Sequence, residues 1–195
     1  MEEYVYLNLE DVLGYYCETI EQSGGGMLGV REREGIEKIL DFVQNDVYYP
    51  TLEDKLTYMV FAFCTGHYFA DGNKRISLVV GAHFLVKNKR AWAGFNFLPY
   101  MEAYIWHVAA GNIDKELLAK IIHSVINQEE IDEGTKLDII HAMEKSPLFS
   151  EENESRMMYG GKNQSEGQIN PQSEGQEFLF TNNEVINKQE EIDGK

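Results

Sequence analysis

Apolar side chains recur at helical spacing along most of this chain. Leu9, Val12, Leu13, Tyr16, Cys17 and Ile20 share one face and predict a helix over residues 9–20. Asn8 stands before it as a capping residue, and Glu10 and Asp11 suit the positive end of its dipole. Ile36, Ile39, Leu40 and Val43 predict a second helix over 33–43; Leu56, Met59, Val60 and Phe63 predict a third over 52–64. Between them, 46–51 (DVYYPT) reads as irregular or extended, with Pro50 as a breaker. Residues 76–86 are apolar nearly all the way round, so that helix belongs in the centre of the core. His83, inside it, reads as a core histidine. Residues 99–110 and 115–126 predict two further helices joined at Gly111-Asn112, and 135–145 a short last one. Strand patterns are sparse, so the expected fold class is all-α.

After Ser146 the pattern stops. The last 50 residues carry ten acidic and four basic side chains, and Asn, Gln, Ser and Gly dominate them. QSEGQ occurs twice there, at 164–168 and 172–176, and QEEID occurs at 128–132 and again at 189–193. Such a segment buries too little apolar surface to offset its ordering entropy and is expected to be disordered. Phe178-Leu179-Phe180 is its one apolar knot and reads as a chance cluster.

Charge narrows the partners. Seventeen Lys and Arg face 33 Asp and Glu in 195 residues, a net charge of −16. That balance excludes a general nucleic-acid binder, which needs clustered cations, but permits a local basic spot. Cys17 and Cys64 both fall in apolar helical patterns and read as buried reduced thiols; neither a disulfide framework nor a zinc pattern is available. The acidic start MEEYVYLNLED has no signal pattern, and no apolar run reaches the roughly 20 residues of a membrane span. A cytoplasmic protein is expected. Gly24-Gly25-Gly26 has no following GK[ST], so it reads as a flexible turn and not as a phosphate loop.

One stretch breaks the apolar pattern with chemistry. GHYFADGNKRIS, 66–77, packs His67, Asp71, Asn73, Lys74 and Arg75 into a bend between two apolar helices. The central helix begins near Asn73 and Lys74. The first N–H groups of a helix lack internal partners and sit at its positive end, which makes an anion site. Gly72 lets the backbone come close to a ligand, Arg75 offers paired donors for a phosphate, and Lys74 adds a point charge. Asp71 would repel a phosphate directly and makes sense as a ligand for a hard cation such as Mg²⁺. His67 is the natural general base, since histidine is the side-chain type that exchanges protons near neutral pH. Phe69 alternates with these polar residues as an anchor into the core. Asn73 can orient the loop or bond the ligand. Base, metal ligand and phosphate cradle together suit transfer of a phosphorus centre to a hydroxyl.

The segment His67-Tyr-Phe69-Ala-Asp71-Gly72-Asn73-Lys74-Arg75 resembles the HxFx[DE]GN[GK]R signature of the Fic/Doc (Fido) superfamily. GGGMLGVREREGIEKIL (24–40) resembles the early segment of death-on-curing (Doc) toxins, and AAGNIDKELLAKII (109–122) their C-terminal end. The resemblance spreads over roughly residues 4–126. It implies a compact helical Fic/Doc domain over 1–127, with a helical extension at 128–145 and the tail at 146–195. It also implies ATP as substrate and Mg²⁺ as cofactor. His67 would deprotonate a protein hydroxyl, Asp71 would hold the metal, Gly72, Asn73 and Lys74 would surround the phosphates, and Arg75 would hold one of them. Residues 46–51 fall where the family has a flap that aligns an extended target segment.

Two departures bear on the reaction. Fic enzymes that transfer AMP usually have Gly at the Lys74 position and a second Arg where Leu78 stands. Both differences are Doc-like. They imply a protein kinase that delivers the γ-phosphate, the toxin of a toxin–antitoxin pair, with elongation factor Tu as a candidate target. Nucleotidyl transfer on the same site, and a silent Fic-fold binding module, are the alternatives. SEENES, 150–155, half-fits the [S/T]xxxE[G/N] inhibitory motif of some relatives, but it reads as a chance match in an acidic tail. His107, His123 and His141 read as structural or surface residues, and Trp92 and Trp106 as packing residues.

Overall fold

The computed structural model describes residues 3–23 and 26–145. The expected tail, with SEENES and Phe178-Leu179-Phe180, lies outside the described residues. The described residues form seven helices: α1 (Leu9–Gln22), α2 (Arg33–Phe42), α3 (Leu52–Thr65), α4 (Asn73–Lys87), α5 (Ala91–Ala109), α6 (Lys115–Asn127) and α7 (Glu133–Glu144). Among the described residues there is no strand, only a single antiparallel bridge between Val30 and Phe69. The fold is all-α, as the periodicity requires. None of the described helices is long and apolar enough to cross a membrane.

Local sequence sets the helix starts. Asn8 accepts from the Asp11 N–H, and Asp11 reaches back to the Asn8 N–H, a reciprocal capping box. Thr51 and Asp54 form the same arrangement at α3, while Asp114 and Asp132 cap α6 and α7. Each such cap is worth about 1 kcal/mol.

α4 is the axle. Ile76 to Ala82, Phe84 and Leu85 are all buried, because α1, α3 and α5 pack around this helix. Gly81 is where the packing is tightest. A Cβ there would sit 2.6 Å from Phe97 and 2.9 Å from Val60, so the small residue lets α3 and α5 close on α4. α6 packs on α3 and α5, and α7 lies on α6.

Two expectations need correction. α5 starts at Ala91, eight residues before the start that Pro99 suggested, and carries Pro99 in its interior. Pro is favoured in a first turn and costs roughly 3 kcal/mol inside a helix, which is why it read as a start. The helix runs through it because Ala93, Gly94 and Phe97 before it, and Met101, Ile105 and Val108 after it, are all buried in one continuous core. Cys17 is exposed, whereas Cys64 is buried. The stripe 9-12-13-16-17-20 is wider than the face α1 buries, which is Val12, Tyr16, Thr19 and Ile20.

His83 shows what burial does to a titratable group here. Its ring stacks on Tyr15 with centroids 3.8 Å apart and planes 9° from parallel. Burial, with Lys87 nearby, pushes its pKa down to about 4. An unfolded histidine takes its proton near pH 6.5, so between pH 6.5 and about 4 the unfolded chain binds the extra proton. Stability is therefore full above pH 6.5 and falls as the pH drops toward 4, by roughly 2–3 kcal/mol from this group. Urea unfolding at pH 7 and pH 5 should show the loss, and His83→Phe, which keeps the stack, should reduce it. An equal loss in the variant would show that other groups cause it.

Candidate active site

α3 ends at Gly66, and His67 follows in the left-handed region with φ 53°. Few non-glycine residues adopt it, and histidine is among those that do most often. The turn leaves the His67 side chain exposed and sends the chain back along residues 29–32. The two segments are joined by backbone bonds. Ala70 N–H donates to Gly29 O at 2.8 Å, and Arg31 N–H donates to Tyr68 O at 2.8 Å. Phe69 then points inward with no exposed surface. Its ring stacks on Tyr16 at 4.2 Å and lies 6.5 Å from Phe63.

Asn73 closes the loop on itself. Its Oδ1 accepts from the Phe69 N–H and its Nδ2 donates to the Phe69 carbonyl, both at 3.0 Å. Of the two roles open to it in the sequence, this geometry gives it the orienting one. Gly72 begins α4 at φ 79° and lends no side-chain cap. A Cβ there would meet the tip of Ile20 at 2.8 Å, which that side chain can relieve; the left-handed φ is what favours glycine. The first-turn N–H groups of Asn73, Lys74 and Arg75 thus have neither an intrahelical acceptor nor a capping side chain. They sit at the positive end of the central helix, with exposed Lys74 beside them.

Asp71 and Arg75 face each other across this helix start. Asp71 Oδ1 accepts from the Gly72 N–H at 2.6 Å, and Oδ2 pairs with Arg75 Nη2 at 3.3 Å. About half of the Asp71 side chain and a third of Arg75 remain exposed. Arg75 Nη1 also donates to Ser23 Oγ at the end of α1. Among the described residues no three His, Cys, Asp or Glu side chains gather as a metal cluster. Asp71 is the carboxylate that this helix start offers. That donor set fits Mg²⁺, which takes one or two carboxylates and completes its shell with phosphate oxygens and water.

Residues 6–85 match the model of the Fic/DOC family. Over this stretch the chain is similar to the Fic/Doc family. Proteins of that family are in general protein-modifying transferases built on the Fic fold. The match contains the whole of 67–75 and ends inside α4; α5 and α6, included in the wider resemblance, lie beyond it. No curated protein and no solved structure matches the chain.

All seven Fic-motif residues singled out in the sequence fall within one bend: His67, Phe69, Asp71, Gly72, Asn73, Lys74 and Arg75. Leu78 is buried, so the position of the second arginine is given over to the core. Residues 46–51 form an irregular loop with Val47 and Tyr48 exposed at its tip. Its base is held by Lys55, fully buried on α3, whose Nζ donates to Asp46 Oδ1 at 2.6 Å and to Val43 O at 3.1 Å. Nothing in the spacing pointed to this lysine, which occupies a helix position that the apolar stripe leaves out.

The remaining histidines take structural partners. His107 is buried beside Asn112, and burial lowers its pKa. His123 bonds Glu53 at 2.8 Å, which raises its pKa, and His141 is exposed on α7. Trp92 and Trp106 are 45% and 37% exposed, which corrects their reading as packing residues. Trp92 lines a groove of about 490 Å³ with Tyr100, Tyr104, Val125 and Ile131, on the α5–α6 side and away from residues 67–75. The buried Cys64 thiol is inert, its pKa pushed up to about 11 by burial.

Proposed function

We propose that this chain is a Doc-like protein kinase that moves the γ-phosphate of ATP to a hydroxyl of a target protein. The observation that carries the reading is Lys74. It stands exposed in the first turn of α4, where a glycine would leave room for two phosphates beyond the reacting one, and buried Leu78 replaces the second arginine that would bind them. The α4 N–H groups and Arg75 then receive the reacting phosphate.

Chemistry follows from the placement. His67 takes the proton from the target hydroxyl. The hydroxyl oxygen bonds to the γ-phosphorus as the bond from that phosphorus to the β–γ bridging oxygen breaks, and ADP leaves with the electron pair. Arg75 and the helix start offset the charge on the phosphoryl oxygens. Asp71 would hold Mg²⁺, which when bound neutralises phosphate charge. The loop 46–51, fixed at its base by Lys55, is the edge on which an extended target segment would pair. Elongation factor Tu is the first target to test, with a separate antitoxin as the silencing partner and the cytoplasm as the site of action.

ATP labelled at the α or the γ position, incubated with the protein and elongation factor Tu or a cell extract, tests the reading. Label from the γ position is expected. Label from the α position alone would make the chain a nucleotidyl transferase, and no label from either would support a silent binding module. Lys74→Gly should cut γ-transfer at least tenfold and raise α-transfer. An unchanged ratio would remove Lys74 as the determinant.

A further inference from the structure

Arg75 is the phosphate clamp of the proposed site, yet an arginine has many rotamers and its use depends on which is held. Two groups hold it. Asp71 Oδ2 takes Nη2, and Ser23 Oγ takes Nη1 from a position 52 residues earlier in the chain. The serine is itself fixed. Its hydroxyl donates to Thr19 O at 2.6 Å, so its proton is committed and its lone pairs are left for the guanidinium. It is also the C-cap of α1, so the negative end of that helix lies beside a cation.

Residues 26–29 come equally close. A Cβ on Gly26 would fall 2.6 Å from Asp71 Oδ2 and 3.6 Å from Arg75 Nη2. The Tyr16 hydroxyl accepts from the Gly29 N–H at 3.2 Å and donates to Met27 O at 3.1 Å. This ties the loop to the same tyrosine that stacks on Phe69. The end of α1 and residues 26–29 therefore form a second wall of the cradle, against Asp71 and Arg75.

We propose that Ser23 is a positioning residue for nucleotide binding, acting through Arg75: it fixes the guanidinium so that the donors left over face the phosphate. This rests on the reading of the α4 start as a nucleotide phosphate site. Ser23→Ala removes the fixed acceptor and leaves a free rotor, whereas Ser23→Thr keeps the hydroxyl.

Binding of ATP to the full-length protein, with Mg²⁺, is measured by titration calorimetry for the wild type, Ser23→Ala, Ser23→Thr, Arg75→Ala and the Ser23→Ala/Arg75→Ala double variant, beside their melting temperatures. Ser23→Ala should weaken ATP about 5- to 10-fold, as expected for one charge-assisted contact, with melting unchanged within about 2 °C. Ser23→Thr should restore most of it. In the Arg75→Ala background Ser23→Ala should add nothing, since its effect passes through that arginine. Under turnover the loss should appear in KM for ATP with kcat kept within about twofold. Ser23→Ala within twofold of the wild type, no restoration by threonine, or full additivity in the double variant would each overturn the inference while leaving the nucleotide site standing. A wild type that binds no ATP would overturn both.

Discussion

His67→Asn should lower γ-phosphate transfer by about 10²–10⁴-fold, the usual worth of a positioned general base, while ATP binding and melting temperature stay near the wild type. The choice of variant matters. His67 has φ 53°, and a residue without a polar side chain pays more to sit there. Asn tolerates that region and lacks a proton acceptor basic enough to serve. His67→Ala should show the same loss of turnover with a modest loss of stability in addition. The histidine is exposed and carries no packing, so a large drop in rate with intact binding isolates its chemical role. The check is the initial rate of transfer from γ-labelled ATP against the calorimetric Kd. A rate within threefold of the wild type would mean that another group takes the proton, and the site as described would have to be redrawn.

Local information accounts for what could be read in advance. Helix starts at Asn8 and Thr51 depend on side chains within three residues, and a 3.6-residue pattern is visible without any tertiary knowledge. The placement of 67–75 was legible for a related reason. Its residues are contiguous, and they lead directly into the start of α4. What stayed hidden depends on partners far along the chain. Ser23 matters only because Arg75 reaches it, and Lys55 only because Val43 and Asp46 fold back over it. Cys17 and the tryptophans were misplaced because a stripe gives the direction of a face and not how much of it is covered. Pro99 misled because a residue that favours a first turn also survives inside a helix when packing on both sides outweighs one lost bond.

Phe69→Ala should cost about 3–5 kcal/mol, the range for deleting a fully buried aromatic ring. The position leaves little room for relief. Phe69 has no exposed surface, stacks on Tyr16 and approaches Phe63, and its backbone is clamped by Asn73 on one side while Val30 bridges to it on the other. Collapse into the space would pull on all of these at once. For a domain of this size each kcal/mol is worth about 3–4 °C, so melting should fall by roughly 10–20 °C. Phe69→Leu keeps most of the volume and should cost about 1–2 kcal/mol. The two variants also separate packing from function. The ring sets the height of the backbone from Tyr68 to Asp71, so the alanine should weaken ATP binding more than its loss of folded protein explains, while the leucine should bind nearly as the wild type. Thermal melts with urea titration give the first quantity, and calorimetry on the folded fraction gives the second. A melting shift under about 3 °C for the alanine would mean that the ring carries little of the core. Normal ATP affinity in a destabilised variant would mean that the phosphate site is held from α4 alone, without its anchor.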